Sequence, residues 1–270
     1  MILEAFKYDF FTNAFIAAIL ASIVCGIIGT IIVEKKLVMM SGGIAHTSFG
    51  GIGLGYLLGF EPIIGAFLFS IIAALSISTI NRRAKTNSDA IIGIFWSVGM
   101  SLGIFFISLM EGYPPDMTSY LFGDILTVSD FSMNIMIVAN IVVVTSIILL
   151  FNYWKSYLFD EEFSRVLGIK TRLLENFLFV MIALTIVVLL KVVGIILVIA
   201  LLTIPPAIAK LFTYDLKNMM IISSIIGIIF TITGLFISYT FDIASGATII
   251  LLSASTYFIL AIIKGKIFRK

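Results

Sequence analysis

The sequence predicts an all-α polytopic membrane protein, and three observations carry that expectation. Apolar residues make up 61% of the 270-residue chain and charged residues only 12%, with a mean hydropathy of +1.20, whereas soluble domains carry about half apolar and about a quarter charged residues. The apolar residues gather into stretches of membrane length, about 20 residues for a hydrocarbon core of about 30 Å. No alternating pattern of the barrel kind occurs, so each stretch must satisfy its own backbone groups as a helix.

Cutting the chain where charges, Gly and Pro cluster gives about nine spans in a single membrane domain over residues 1–270: 10–33, 37–59, 62–80, 90–110, 131–152, 173–190, 192–212, 218–239 and 246–263. The first span follows no basic leader and no small-residue cleavage site, so it is expected to stay. Its Cys25, the sole cysteine, reads as a buried small hydrophobe. The first span and the tight turn at Lys191 are the weakest elements, and without one of them the count is eight. A re-entrant outer segment around 119–126 also gives eight.

Positive charge is retained on the cytoplasmic side. With the N-terminus outside and the C-terminus cytoplasmic, 15 basic residues fall inside and only Lys7 and Lys191 outside, which accounts for all 17. The carboxylates divide eight outside and seven inside. The outer eight are Glu4, Asp9, Glu61, Glu111, Asp116, Asp124, Asp130 and Asp242, a net negative face able to attract cations. The small positive excess is thus a topology signal and not a nucleic-acid footprint.

The second span holds the sole histidine, His46, about 15 Å into the helix at 1.5 Å per residue. An ionisable group at that depth points to function. Gly42, Gly43, Gly50 and Gly53 lie around it at helical spacing, and Gly51 and Gly55 continue a small-residue stripe that lets another helix approach closely. A packing helix whose histidine bonds a neighbouring carbonyl is the alternative.

The loop 153–172 predicts a short helix. Asp160 can cap it, Glu161 and Glu162 suit its positive end, Arg165 follows, and Gly168 can close it in a left-handed conformation. Phe159, Phe163 and Leu167 then form one apolar edge that needs a partner surface. A helix lying on lipid is the alternative, and the acidic start argues against anionic headgroups. In the seventh span Pro205 and Pro206 remove two backbone donors and are expected to break or kink the helix.

These stretches, together with 89–95, 120–126, 193–198 and 205–209, occur in an order that resembles the permeases of ABC-type zinc, manganese and iron importers. The resemblance covers most of the chain. It implies that 158–169 is a cytoplasmic coupling helix docking on a separate ATPase subunit, and that His46 contacts metal in the translocation path. It also implies a two-fold homodimer, an extracytoplasmic metal-binding protein that delivers the ion, and residence in a prokaryotic plasma membrane. Many relatives carry an aspartate four residues before this histidine; here that residue is Gly42. One histidine does not complete a zinc or manganese site, so two copies of His46 are expected to share the path, helped by Ser41, Thr47, Ser48, Met40 or backbone carbonyls. Imidazole without carboxylate leans toward zinc. No permanently bound cofactor is expected.

No phosphate-binding Gly-x-x-x-x-Gly-Lys motif occurs, so ATP hydrolysis belongs on another chain. An intramembrane metalloprotease needs a histidine pair, and a serine hydrolase needs its nucleophile elbow; neither is present. A secondary transporter would show paired broken helices. The nearest rival is a permease for metal chelates such as siderophores or cobalamin, which needs a wider path than a glycine-lined helix suggests.

Overall fold

The computed structural model describes residues 8–83, 88–112, 118–123, 125 and 128–267. Glu4, Lys7, Lys85, Asp116, Asp124, Leu126, Arg269 and Lys270, which the charge and motif readings used, lie outside them. Helices follow one another and no strand occurs among the described residues. In order they are α1 (Asp9–Glu34), α2 (Val38–Leu58), α3 (Pro62–Arg83), α4 (Ser88–Ser108), α5 (Thr118–Phe122), α6 (Asp130–Leu149), α7 (Phe151–Phe159), α8 (Glu161–Val166), α9 (Thr171–Val193), α10 (Ile195–Phe212), α11 (Leu216–Phe241) and α12 (Ser245–Ile267).

Eight of these, α1, α3, α4, α6, α9, α10, α11 and α12, are long and apolar enough to cross a membrane. The ninth expected span, α2, has the length, 21 residues, and falls short in hydropathy because glycine, serine, threonine and His46 dilute it. Most of it is buried against other helices, so lipid-grade hydropathy is not demanded of its side chains. The two elements weakest in sequence are both regular: α1 runs 26 residues, and α9 passes straight through Lys191.

The turn expected at Lys191 therefore moves. Lys191 stands in the last turn of α9, where a cation meets the negative end of the helix dipole. The chain turns at Gly194 instead, with φ 79° and ψ 157°, a region open essentially to glycine. A side chain there would also collide with the backbone of Phe122 and Gly123.

The chain forms two compact units. One comprises Met1–Glu34, Thr118–Thr145 and Val188–Lys270. Within it α1 packs on α10 and α11, and its Ala14, Ala17, Ala18, Ala21 and Cys25 are buried. A hydroxyl pair, Ser22 Oγ and Thr231 Oγ1 at 3.0 Å, joins α1 to α11. The expected break at Pro205 and Pro206 is not found: α10 continues through the pair to Phe212, with both prolines buried. Pro206 has no N–H for the Leu202 carbonyl one turn back, and that carbonyl faces Gly29 of α1, where a side chain would collide. Packing of α1 holds the helix where its own hydrogen bond is missing.

The second unit comprises Lys35–Met117 and Ser146–Val187, with α2 packed closely against both α3 and α4. Two glycine faces make this approach. Toward α3, a Cβ on Gly51 would collide with the Gly65 carbonyl, and one on Gly55 would sit 2.7 Å from Pro62 Cα. Toward α4, a Cβ on Gly53 would lie 2.5 Å from the Gly103 carbonyl oxygen, one on Gly50 would lie 3.0 Å from that of Gly99, and one on Gly43 would lie 2.7 Å from Ile92 Cγ2. The fifth expected span is also cut: α6 ends at Leu149, and α7 follows as a separate helix that buries Trp154 and Tyr157 and exposes Tyr153. The Trp154 ring lies 6.3 Å from that of Phe177 on α9 at 18°.

Gly51→Val should lower stability by at least about 1–3 kcal/mol through overpacking, seen as a lower melting temperature in detergent. Gly93→Ala, where a Cβ meets nothing within 4 Å, should leave that temperature nearly unchanged.

Candidate functional site

His46 projects from α2 toward α4. Its ring stacks on Trp96 with centroids 3.8 Å apart and planes at 12°, and Nδ1 lies 3.5 Å from Met100 Sδ. Trp96 and Met100 are four residues apart, one turn of α4, so one helix face supplies both. All three side chains are half-buried. The adjacent backbones touch: a Cβ on Gly99 would collide with Thr47 Cα, and Thr47 Oγ1 donates to the Phe95 carbonyl at 3.0 Å as well as to that of Gly43 at 2.7 Å.

The other polar residues singled out on this helix are placed differently. Ser41 donates to the Val38 carbonyl at 2.8 Å and Ser48 to that of Ala45 at 2.5 Å, and both are buried, as is Met40. Helical spacing turns Ser41 and Ser48 well over a quarter circle away from His46. Gly42 shares the histidine's side of the helix by the same spacing. Trp96 and Met100 escaped the sequence reading because a lone Trp and a lone Met in an apolar span carry no spacing signal; only the approach of α2 to α4 selects them. Among the described residues no group of three or more His, Cys, Asp or Glu could hold a metal ion.

The second feature is the corner where α7 meets α8. Asp160 is extended, φ −152° and ψ 110°, and its Oδ1 accepts from the Phe163 N–H at 2.9 Å, capping α8. Glu161 and Glu162 occupy the first turn. Arg165 pairs with Glu161, and its Nε donates to Thr171 Oγ1 at 3.1 Å. Gly168, φ 79°, donates to the Arg165 carbonyl and Ile169 to that of Ser164, both at 3.0 Å, the paired bonds of a glycine-closed helix end. The helix is shorter than expected because Asp160 ends one helix and starts the next, so Phe159 belongs to α7 and Phe163 to α8. Phe159 is 91% exposed, Phe163 57%, Leu167 59% and Val166 84%.

Lys35, from the short link between α1 and α2, reaches this corner. Its Nζ lies 3.6 Å from the centre of the Tyr157 ring and 3.7 Å from Glu161 Oε2. Burial pushes the Lys35 pKa below its ordinary value, against the opposing pull of Glu161.

A model of the ABC 3 transport family matches residues 7–264. The chain belongs to that family. An uncharacterized membrane protein of Synechocystis is 41% identical over 95% of this chain and 91% of its own length. The manganese transport system membrane protein MntC of Listeria monocytogenes is 34% identical over 94% and 90%. Among solved structures, PsaBC from Streptococcus pneumoniae in complex with Fab contains a chain similar at a TM-score of 0.86 and 34% identity, over 96% of this chain and 95% of that one. As a member of the family, the chain is an ABC-transporter permease and a multi-pass membrane protein.

Asp160→Ala should cost α8 about 1 kcal/mol of local stability. Hydrogen exchange of the 161–166 amides should quicken about fivefold, with the amides of α2 unaffected.

Proposed function

We propose that this chain is the membrane-spanning subunit of an importer that uses ATP, hydrolysed on a separate chain, to carry a divalent metal ion, zinc or manganese, into the cytoplasm. The observation that carries the reading is full-length similarity to the manganese transport protein of Listeria monocytogenes, joined to a solitary histidine at mid-helix depth. His46 is the residue proposed to meet the ion. One imidazole per chain leaves the other positions of a divalent ion open, so a second copy facing the same path is part of the proposal, and so is an extracytoplasmic binding protein that delivers the ion. The whole chain acts as one permease domain with the N-terminus outside and the C-terminus cytoplasmic, the orientation supported by the distribution of lysine and arginine.

The exposed edge of Phe159, Phe163, Val166 and Leu167 is the proposed dock for the ATPase. Covering large apolar side chains is worth about 1.5–3 kcal/mol each, enough for a few of them to anchor a partner. The capped, glycine-closed α8 presents Phe163 and Val166, flanked by Phe159 at the end of α7 and Leu167 at the C-cap.

The test is uptake of zinc and manganese into proteoliposomes holding the chain with its ATPase and binding protein. ATP-dependent uptake is expected, and His46→Ala should abolish it while the complex still assembles. Movement of neither ion overturns the reading. Phe163→Ala paired with Phe159→Ala should weaken copurification of the ATPase about tenfold or more and leave the melting temperature of the permease alone unchanged.

A further inference from the structure

His46 Nδ1 lies in contact with Met100 Sδ, and an assignment of that contact to the cargo rests on the importer reading and deepens it. We propose that Met100 Sδ and His46 Nδ1 grip the cargo together, and that this pair makes the path select thiophilic cations, zinc before manganese.

Zinc lies about 2.0 Å from an imidazole nitrogen and about 2.3 Å from sulfur, and at a tetrahedral angle of about 109° the two donor atoms stand about 3.5 Å apart. That is the separation found between Nδ1 and Sδ, 3.5 Å. The two donor atoms thus already stand at the spacing that one shared ion requires.

The donors are also held in place. Thr47 and Gly99, the neighbours of His46 and Met100, meet backbone to backbone, and the Trp96 stack fixes the plane of the imidazole. A ligand pair on two helices clamped this closely keeps its spacing better than one borne on loops.

Chemistry supplies the direction of selectivity. Manganese favours carboxylate, carbonyl and water oxygens, whereas thioether and imidazole favour softer ions. A carboxylate one turn before the histidine would provide the hard oxygen, and that position is Gly42. Two donors per chain bind weakly enough for release into the cytoplasm.

The experiment uses the assembled complex, wild type and Met100→Leu, a swap that nearly conserves volume. Zinc-edge X-ray absorption of the zinc-loaded wild type should show a sulfur neighbour at about 2.3 Å that disappears in the variant. In proteoliposomes the variant should lower the ratio of zinc to manganese uptake by about tenfold, chiefly by losing zinc. A wild-type spectrum with nitrogen and oxygen neighbours alone overturns the proposal; it is the result expected if Nδ1–H merely donates a hydrogen bond to the thioether. An unchanged uptake ratio in the variant overturns it as well, while transport itself leaves the importer reading intact. A sulfur neighbour lost with Met100 in a complex that moves neither ion keeps the site and removes the importer reading.

Discussion

Close backbone contact along α2 is the constraint on which the rest of its unit depends. Helices with ordinary side chains keep their axes 8–10 Å apart, and the glycines on two sides of α2 admit both α3 and α4 more closely than large residues would. Van der Waals packing of this kind drives helix association in a bilayer, where lipid is as apolar as leucine and burial alone gains little. The same contact explains why the least apolar of the long helices is among the most buried. It also explains how a single histidine acquires defined neighbours, because a side chain between two touching backbones has few rotamers left to it.

The α7–α8 corner depends on different physics. Lys35 contributes a cation–π contact with Tyr157, about 0.5–1 kcal/mol at an exposed site, and a longer ion pair with Glu161 worth no more. The Asp160 cap adds about 1 kcal/mol. Trp154, fully buried, anchors α7 against Phe177 of α9. Small polar terms of this size suffice to orient a short helix without covering its apolar edge, which is left free for a partner. Rigid presentation lowers the ordering cost of binding.

The unit that holds α1 and α10 accommodates imperfect helices by borrowing from a neighbour. In α10 the proline pair forfeits hydrogen bonds, and Gly29 of α1 gives the freed Leu202 carbonyl room against a packed helix. At Gly194 and Gly123, two positive-φ glycines meet so that α9 can turn directly into α10. Both departures are matched by a missing side chain on the facing element.

Sequence alone determined the properties that follow from one-dimensional pattern: apolar runs of membrane length, charges that bound them, and a cap whose donors and acceptors lie within a few residues. Asp160, Glu161 and Gly168 were legible for that reason, as was the glycine stripe around His46. The break at Leu150, the continuity of α10 through its prolines and the shift of a turn from Lys191 to Gly194 were not, because each depends on what the facing helix tolerates. Trp96 and Met100 show the limit most clearly. Nothing in their own segment distinguishes them from other apolar residues, and they become neighbours of His46 only when glycine backbones bring α2 and α4 together, a juxtaposition that exists in three dimensions and in no local pattern.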